Sequence, residues 1–123
     1  MTISLQNYDP ALSSGAAIFD SGTASIVSGS CTINQRQGVI TTASLTTGTA
    51  SSVTFDLKNN KIGADSQIIL TIGGGTNTAG LPALGELVTG AAGSCTIKVI
   101  NADSSPAGTA LNGTLEVNFI VLS

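Results

Sequence analysis

Histidine and tryptophan are absent from the 123 residues. Without imidazole the chain lacks the usual general base near neutral pH and the commonest metal ligand. Without indole it lacks the best platform for stacking on a base or a sugar ring. Tyr8, Phe19, Phe55 and Phe119 are the whole aromatic complement, so the core has to be aliphatic and a lectin-like site is disfavoured. Charge is scarce as well. Arg36, Lys58, Lys61 and Lys98 face seven carboxylates, for a net charge of −3. No basic stripe exists to neutralise phosphates, which argues against nucleic acid as a partner. Charged residues make up 9% of the chain, against about 25% in an ordinary domain. The exposed surface therefore has to be built from Thr, Ser, Asn, Gly and Ala. Such a surface suits lasting contact with other protein, because few ions need desolvating and little repulsion keeps copies apart. No run of 18 apolar residues occurs, and the N-terminus lacks a basic cluster followed by an apolar stretch, so neither a membrane span nor a secretion signal is expected. Two cysteines, Cys31 and Cys95, are too few for a disulfide framework or a zinc site. They read as two buried thiols, or as one mutual disulfide if the strands carrying them face each other.

What is present is alternation. In the closing stretch Leu115, Val117, Phe119 and Val121 share one strand face, while Glu116 and Asn118 open the other. Ile120 and Leu122 then make that second face apolar, so the end of the strand is expected to be covered by an N-terminal segment or another subunit. Asn112-Gly113 ahead of it reads as a hairpin turn. Val53, Phe55 and Leu57 alternate with Thr54, Asp56 and Lys58, and a similar strand spans Ser94 to Ile100. Ser30 to Ile33 and Val39 to Thr42 read as neighbouring strands. Gln67 to Ile72 is nearly continuous in apolar residues and reads as a strand buried on both faces. Shorter strands are expected at Ile3 to Gln6, at Ala16 to Phe19 and at Thr23 to Val27, with a turn at Asp20-Ser21-Gly22. The glycines from Gly73 to Gly80 mark an exposed loop. No window carries helical periodicity. The chain is expected to be all-β, a single antiparallel β-sandwich of jelly-roll-like topology, with residues 1–28 an arm or short strands ahead of a sandwich at 29–123. One pentapeptide recurs: Gly29-Ser30-Cys31-Thr32-Ile33 and Gly93-Ser94-Cys95-Thr96-Ile97.

Catalytic chemistry has little to stand on. Asp9, Asp20, Asp56, Asp65, Glu86, Asp103 and Glu116 are scattered over turns and strand faces, and the spacing of a calcium loop is missing. Gly73-Gly74-Gly75 lacks the Gly-Lys-Ser/Thr ending of a phosphate loop. Neither enzyme activity nor a cofactor or metal is expected.

The stretches Gly38-Val39-Ile40-Thr41-Thr42, Thr54-Phe55-Asp56-Leu57-Lys58-Asn59, Gly75-Thr76-Asn77 and Ala110-Leu111-Asn112-Gly113-Thr114 with its following strand resemble the small structural proteins of tailed bacteriophages. The likeness covers about residues 29 to 122. It implies a virion component made in the host cytoplasm, a capsid decoration (cement) protein on the outer head surface. Its partners would be the major capsid protein and other copies of itself, as a trimer ahead of a dimer. Ile3, Leu5, Leu81, Ile120 and Leu122 are the candidate contact residues. Related modules occur in phage fibres, so a receptor- or glycan-binding role is the alternative.

Overall fold

The computed structural model describes residues 21–122 other than Pro106, so the strands expected at Ile3 and Ala16 lie outside the described residues. All the regular structure in the described part is strand: β1 Ser21–Ser25, β2 Ser30–Thr32, β3 Gln37–Thr41, β4 Ser52–Lys58, β5 Gln67–Gly73, β6 Pro82–Leu84, β7 Val88–Ala91, β8 Ser94–Asn101 and β9 Glu116–Leu122. One sheet, A, has the order β1-β3-β9-β5. The other, B, has the order β2-β4-β8-β6, with β7 also pairing β8. The inner faces of both contribute to one core, which makes the chain an all-β sandwich.

The two sheets are mixed, not antiparallel as expected, because the pairs β1/β3 and β2/β4 run parallel. The cause is the order of visits. The chain enters sheet A, crosses to B, returns to A and crosses again, so two reversals separate strands that end as neighbours. The same alternation separates Ser30–Thr32 from Gln37–Thr41, which were expected side by side and lie in different sheets. The first crossing is a two-residue turn in which Ser28 and Gly29 have φ of 53° and 83° and Val27 and Ser30 exchange backbone hydrogen bonds of 3.0 and 3.2 Å. Positive φ at both central positions matches the right-handed twist of the flanking chain. The turn expected at Asp20-Ser21-Gly22 is absent from the described part of that stretch, since Ser21 and Gly22 begin β1. Gly22 serves close packing there: a Cβ would meet Ile33 and Gln35.

Alternation decides the core. In β8 every second residue, Cys95, Ile97, Val99 and Asn101, is buried. Phe55 and Leu57 of β4 lie beside them in sheet B, and Ile40, Val117, Phe119 and Val121 of sheet A complete the core. Each such aliphatic or aromatic side chain, fully buried, stabilises the fold by roughly 1.5–3 kcal/mol. β5 departs from expectation. It is an edge strand and not one buried on both faces: Ile68, Leu70 and Ile72 are only half-buried, and Ile69 is 50% exposed. A continuous apolar run has the same composition at an edge as at a centre, and here it lies at the edge.

The repeated pentapeptide has a structural meaning. Its two copies flank β4 on opposite sides, β2 parallel and β8 antiparallel, so that Cys31, Leu57 and Cys95 form one row across sheet B. Two strand spacings put the cysteines about 10 Å apart, beyond the roughly 4.4–6.8 Å between Cα atoms that a disulfide spans. Both are free and buried. Burial raises the Cys31 thiol. Burial, reinforced by the charge of Asp56, pushes Cys95 up to about 11. A raised thiol value protects the neutral form, so the stabilising effect of both is full below the ordinary value of 9.0 and falls as pH rises above it, for Cys95 until about 11. An aromatic disulfide reagent at pH 8 is expected to label neither thiol in the folded chain and both in concentrated urea; rapid labelling of the native protein would show the row to be open.

Candidate interaction surface

The segment before β9 is extended. Thr42 N–H donates to the Leu115 carbonyl (2.9 Å), Leu45 N–H to Gly113 (2.8 Å), and Leu111 N–H to Thr47 (2.9 Å). On its other side Thr76 and Asn77 N–H both donate to the Thr114 carbonyl at 3.0 Å. Side chains complete the lacing: Thr78 N–H donates to Asn112 Oδ1 and Asn112 N–H to Asn77 Oδ1, each at 2.8 Å. Residues 111–115 thus carry the line of β9 backward between two flanking segments. Asn112-Gly113 is therefore not the hairpin turn expected. Gly113 is buried because a Cβ would come within 2.6 Å of Thr76 Oγ1 and 2.8 Å of Asn77 N. The Gly73 to Pro82 loop is held by the same bonds, with Gly74, Gly75 and Gly80 at positive φ.

Asn101 fixes the neighbouring loops. Its Oδ1 accepts from Leu81 N–H (3.0 Å) and Asp103 N–H (3.1 Å), while its Nδ2 donates to the carbonyls of Thr47 (3.1 Å) and Thr109 (2.9 Å). All four hydrogen-bonding positions of the amide are used, which is what burial of so polar a group demands. Asp103 next to it accepts from Thr109 N–H, the Ser105 hydroxyl and Ser105 N–H, which hold its carboxyl below the ordinary range.

On this frame the five expected contact residues separate. Ile3 and Leu5 lie outside the described residues. Ile120 and Leu122 point outward from sheet A, opposite Ile69 and Gln67 of β5, with Leu122 41% exposed. Ile69 joins them, and the sequence reading missed it because it was assigned to a doubly covered strand. Leu81 is 58% exposed on a backbone tied to Asn101 and Ala102. It sits beyond the Gly73 end of β5, whereas Leu122 sits opposite Gln67, about 20 Å along the strand. The structure does not bring Leu81 to the patch formed by Ile69, Ile120 and Leu122.

A groove of about 470 Å³ opens on the side of the sandwich between residues 42–47 and the first half of β4. Thr42, Ser44, Thr46, Ser52 and Thr54 bring hydroxyls to it, Leu45 and Phe55 form apolar floor, and no charged residue lines it among the described residues. β2 covers only Asp56 to Lys58 of β4, and the ladder stops where Asp56 N–H donates to Gly29 (2.9 Å). Among the described residues, the outward backbone edge at Thr54 has no neighbouring strand. Neutral hydrogen-bonding ligands suit such a lining. Among the described residues no group of three His, Cys, Asp or Glu side chains is placed to hold a metal ion.

Replacing Asn101 by Leu strands two loop donors and two carbonyls, and is expected to cost about 3 kcal/mol or more in urea unfolding. Gly113→Ala has to displace the Thr76–Asn77 segment, at about 1–3 kcal/mol by the same measurement. Full native stability in either variant would refute the role given to that residue. Comparison with protein-family models, with curated proteins and with solved structures gives no match to the chain.

Proposed function

We propose that this jelly-roll-like sandwich is a structural binding protein that attaches to other protein, as a capsid decoration protein does on the outer surface of a phage head. The observation that carries the reading is the outward apolar patch of Ile69, Ile120 and Leu122 on a surface with few charges. Apolar groups held on strands, with few ions to desolvate, favour durable contact. The resemblance of residues 29 to 122 to small virion proteins directs that contact to the capsid shell, with the major capsid protein and further copies of the chain as partners. Each contact is modest, but repetition over symmetry-related subunits raises effective affinity, and a protein that binds only the intact shell stabilises it by mass action. No catalytic step, nucleic acid or membrane enters the reading.

The uncharged, hydroxyl-lined groove favours a second reading, a fibre module that holds a host glycan or peptide through neutral hydrogen bonds. One experiment separates the two. Purified protein is pelleted with undecorated heads and, separately, with host cells. Retention on heads is expected, weakened roughly tenfold or more by Leu122→Asp, which places a charge in the patch while leaving the core untouched. Retention on cells and not on heads would overturn the decoration reading in favour of the fibre module.

A further inference from the structure

Among the described residues, every strand edge but that of β5 is guarded or short, the uncovered part of β4 included, since β2 leaves only its first residues, Ser52 to Thr54, without a neighbour. β2 and β6 have three residues each, and β6 begins with Pro82, which offers no N–H. β7 carries a register shift between Val88 and Ala91. β1 is Ser-Gly-Thr-Ala-Ser, with little apolar surface to bury. β5 is seven residues long, Gln-Ile-Ile-Leu-Thr-Ile-Gly, without a charge, a proline or a bulge.

The direction of its free backbone groups follows from the neighbour. Val121 N–H donates to Arg36 on the β3 side, so Glu116, Asn118, Ile120 and Leu122 turn their backbone groups toward β5, where they meet Gly73, Thr71, Ile69 and Gln67. Ile68, Leu70 and Ile72 therefore aim their N–H and C=O groups away from the sheet. None of these has a backbone or side-chain partner among the described residues.

The geometry points to a second copy of this chain as the occupant of that edge: two β5 strands pair antiparallel about a two-fold axis at Leu70, joining two A sheets into one. This names the surface and symmetry for the self-association proposed above, on which it rests, and makes the assembly a dimer. The match is self-complementary. Ile68 faces Ile72 of the other copy and Leu70 faces Leu70, so all six outward N–H groups find carbonyls. The inward side chains of the same residues, half-buried in one copy, close over each other. Gln67 falls opposite Gly73 and Asp65 opposite Gly75, so no like charges meet. The outward patches of Ile69 come together as diagonal neighbours across the axis.

The test is sedimentation of the full chain over a concentration series, with amide hydrogen exchange read by NMR. A dimer is expected in which the Ile68, Leu70 and Ile72 amides are protected, and they lose that protection on dilution to monomer. Ile69→Lys, at a half-exposed outward position, is expected to raise the dissociation constant roughly tenfold or more while preserving the protection of β8 and β9. An oligomer in which those three amides exchange freely would overturn the inference and leave self-association standing through another surface. A monomer at every concentration would overturn both, without touching the result of the head-binding experiment.

Discussion

The side-chain amide of Asn101 is the interaction on which the end of the sandwich depends. A buried amide that lost even one of its four bonds would leave a polar group without water or partner, at roughly 1–3 kcal/mol. Each of those bonds runs to a different stretch of loop, at Thr47, Leu81, Asp103 and Thr109. The backbone of Asn101 adds two more, donating to Ser51 and accepting from Ala50. Asn59 does similar work at the far end of β4, donating from Nδ2 to Gln35 (2.6 Å) and accepting at Oδ1 from Lys61 N–H. A chain rich in glycine and threonine, with long stretches lacking regular pairing, stays ordered because these two amides give the loops fixed partners.

This order shapes the surface. Loops that would otherwise be mobile present Leu81 and the Thr76–Thr78 stretch in set positions, and the strands present Ile69, Ile120 and Leu122. Rigid presentation lowers the entropy lost on association, which matters when there is little charge to steer a partner. The contrast among the edges follows the same logic. Among the described residues, short strands, a proline and a bulge close off β2, β6 and β7, β1 has little apolar surface, and the long open edge is the one with apolar residues to bury.

Much of the fold was legible wherever one face is dry and the other wet. β4, β8 and β9 declare themselves by period two because Phe55, Ile97 and Val117 alternate with Asp56, Lys98 and Asn118. Partners were not legible, since periodicity states which way side chains point and says nothing of which strand lies alongside. The parallel pairs and the edge position of β5 were missed for that reason. Asn112-Gly113 misled because the dipeptide is used for another property: glycine's small size against Thr76 and Asn77, with the asparagine amide bonded across to Thr78. The outward position of Ile120 and Leu122 was legible from the break in alternation at the end of β9. Ile69 was hidden by its apolar neighbours on both sides.

The place of β9 has a consequence for synthesis. Residues 116–122 are the last of the described strands to leave the ribosome, and they occupy an interior position in sheet A, between β3 and β5. Until they emerge, β3 and β5 have no common neighbour, and sheet A exists only as the β1/β3 pair. Sheet B, complete by Asn101, can form earlier on the nascent chain. Folding is thereby split in time, with half of the sandwich waiting on its final strand, and such long-range pairing is slow to close once that strand arrives.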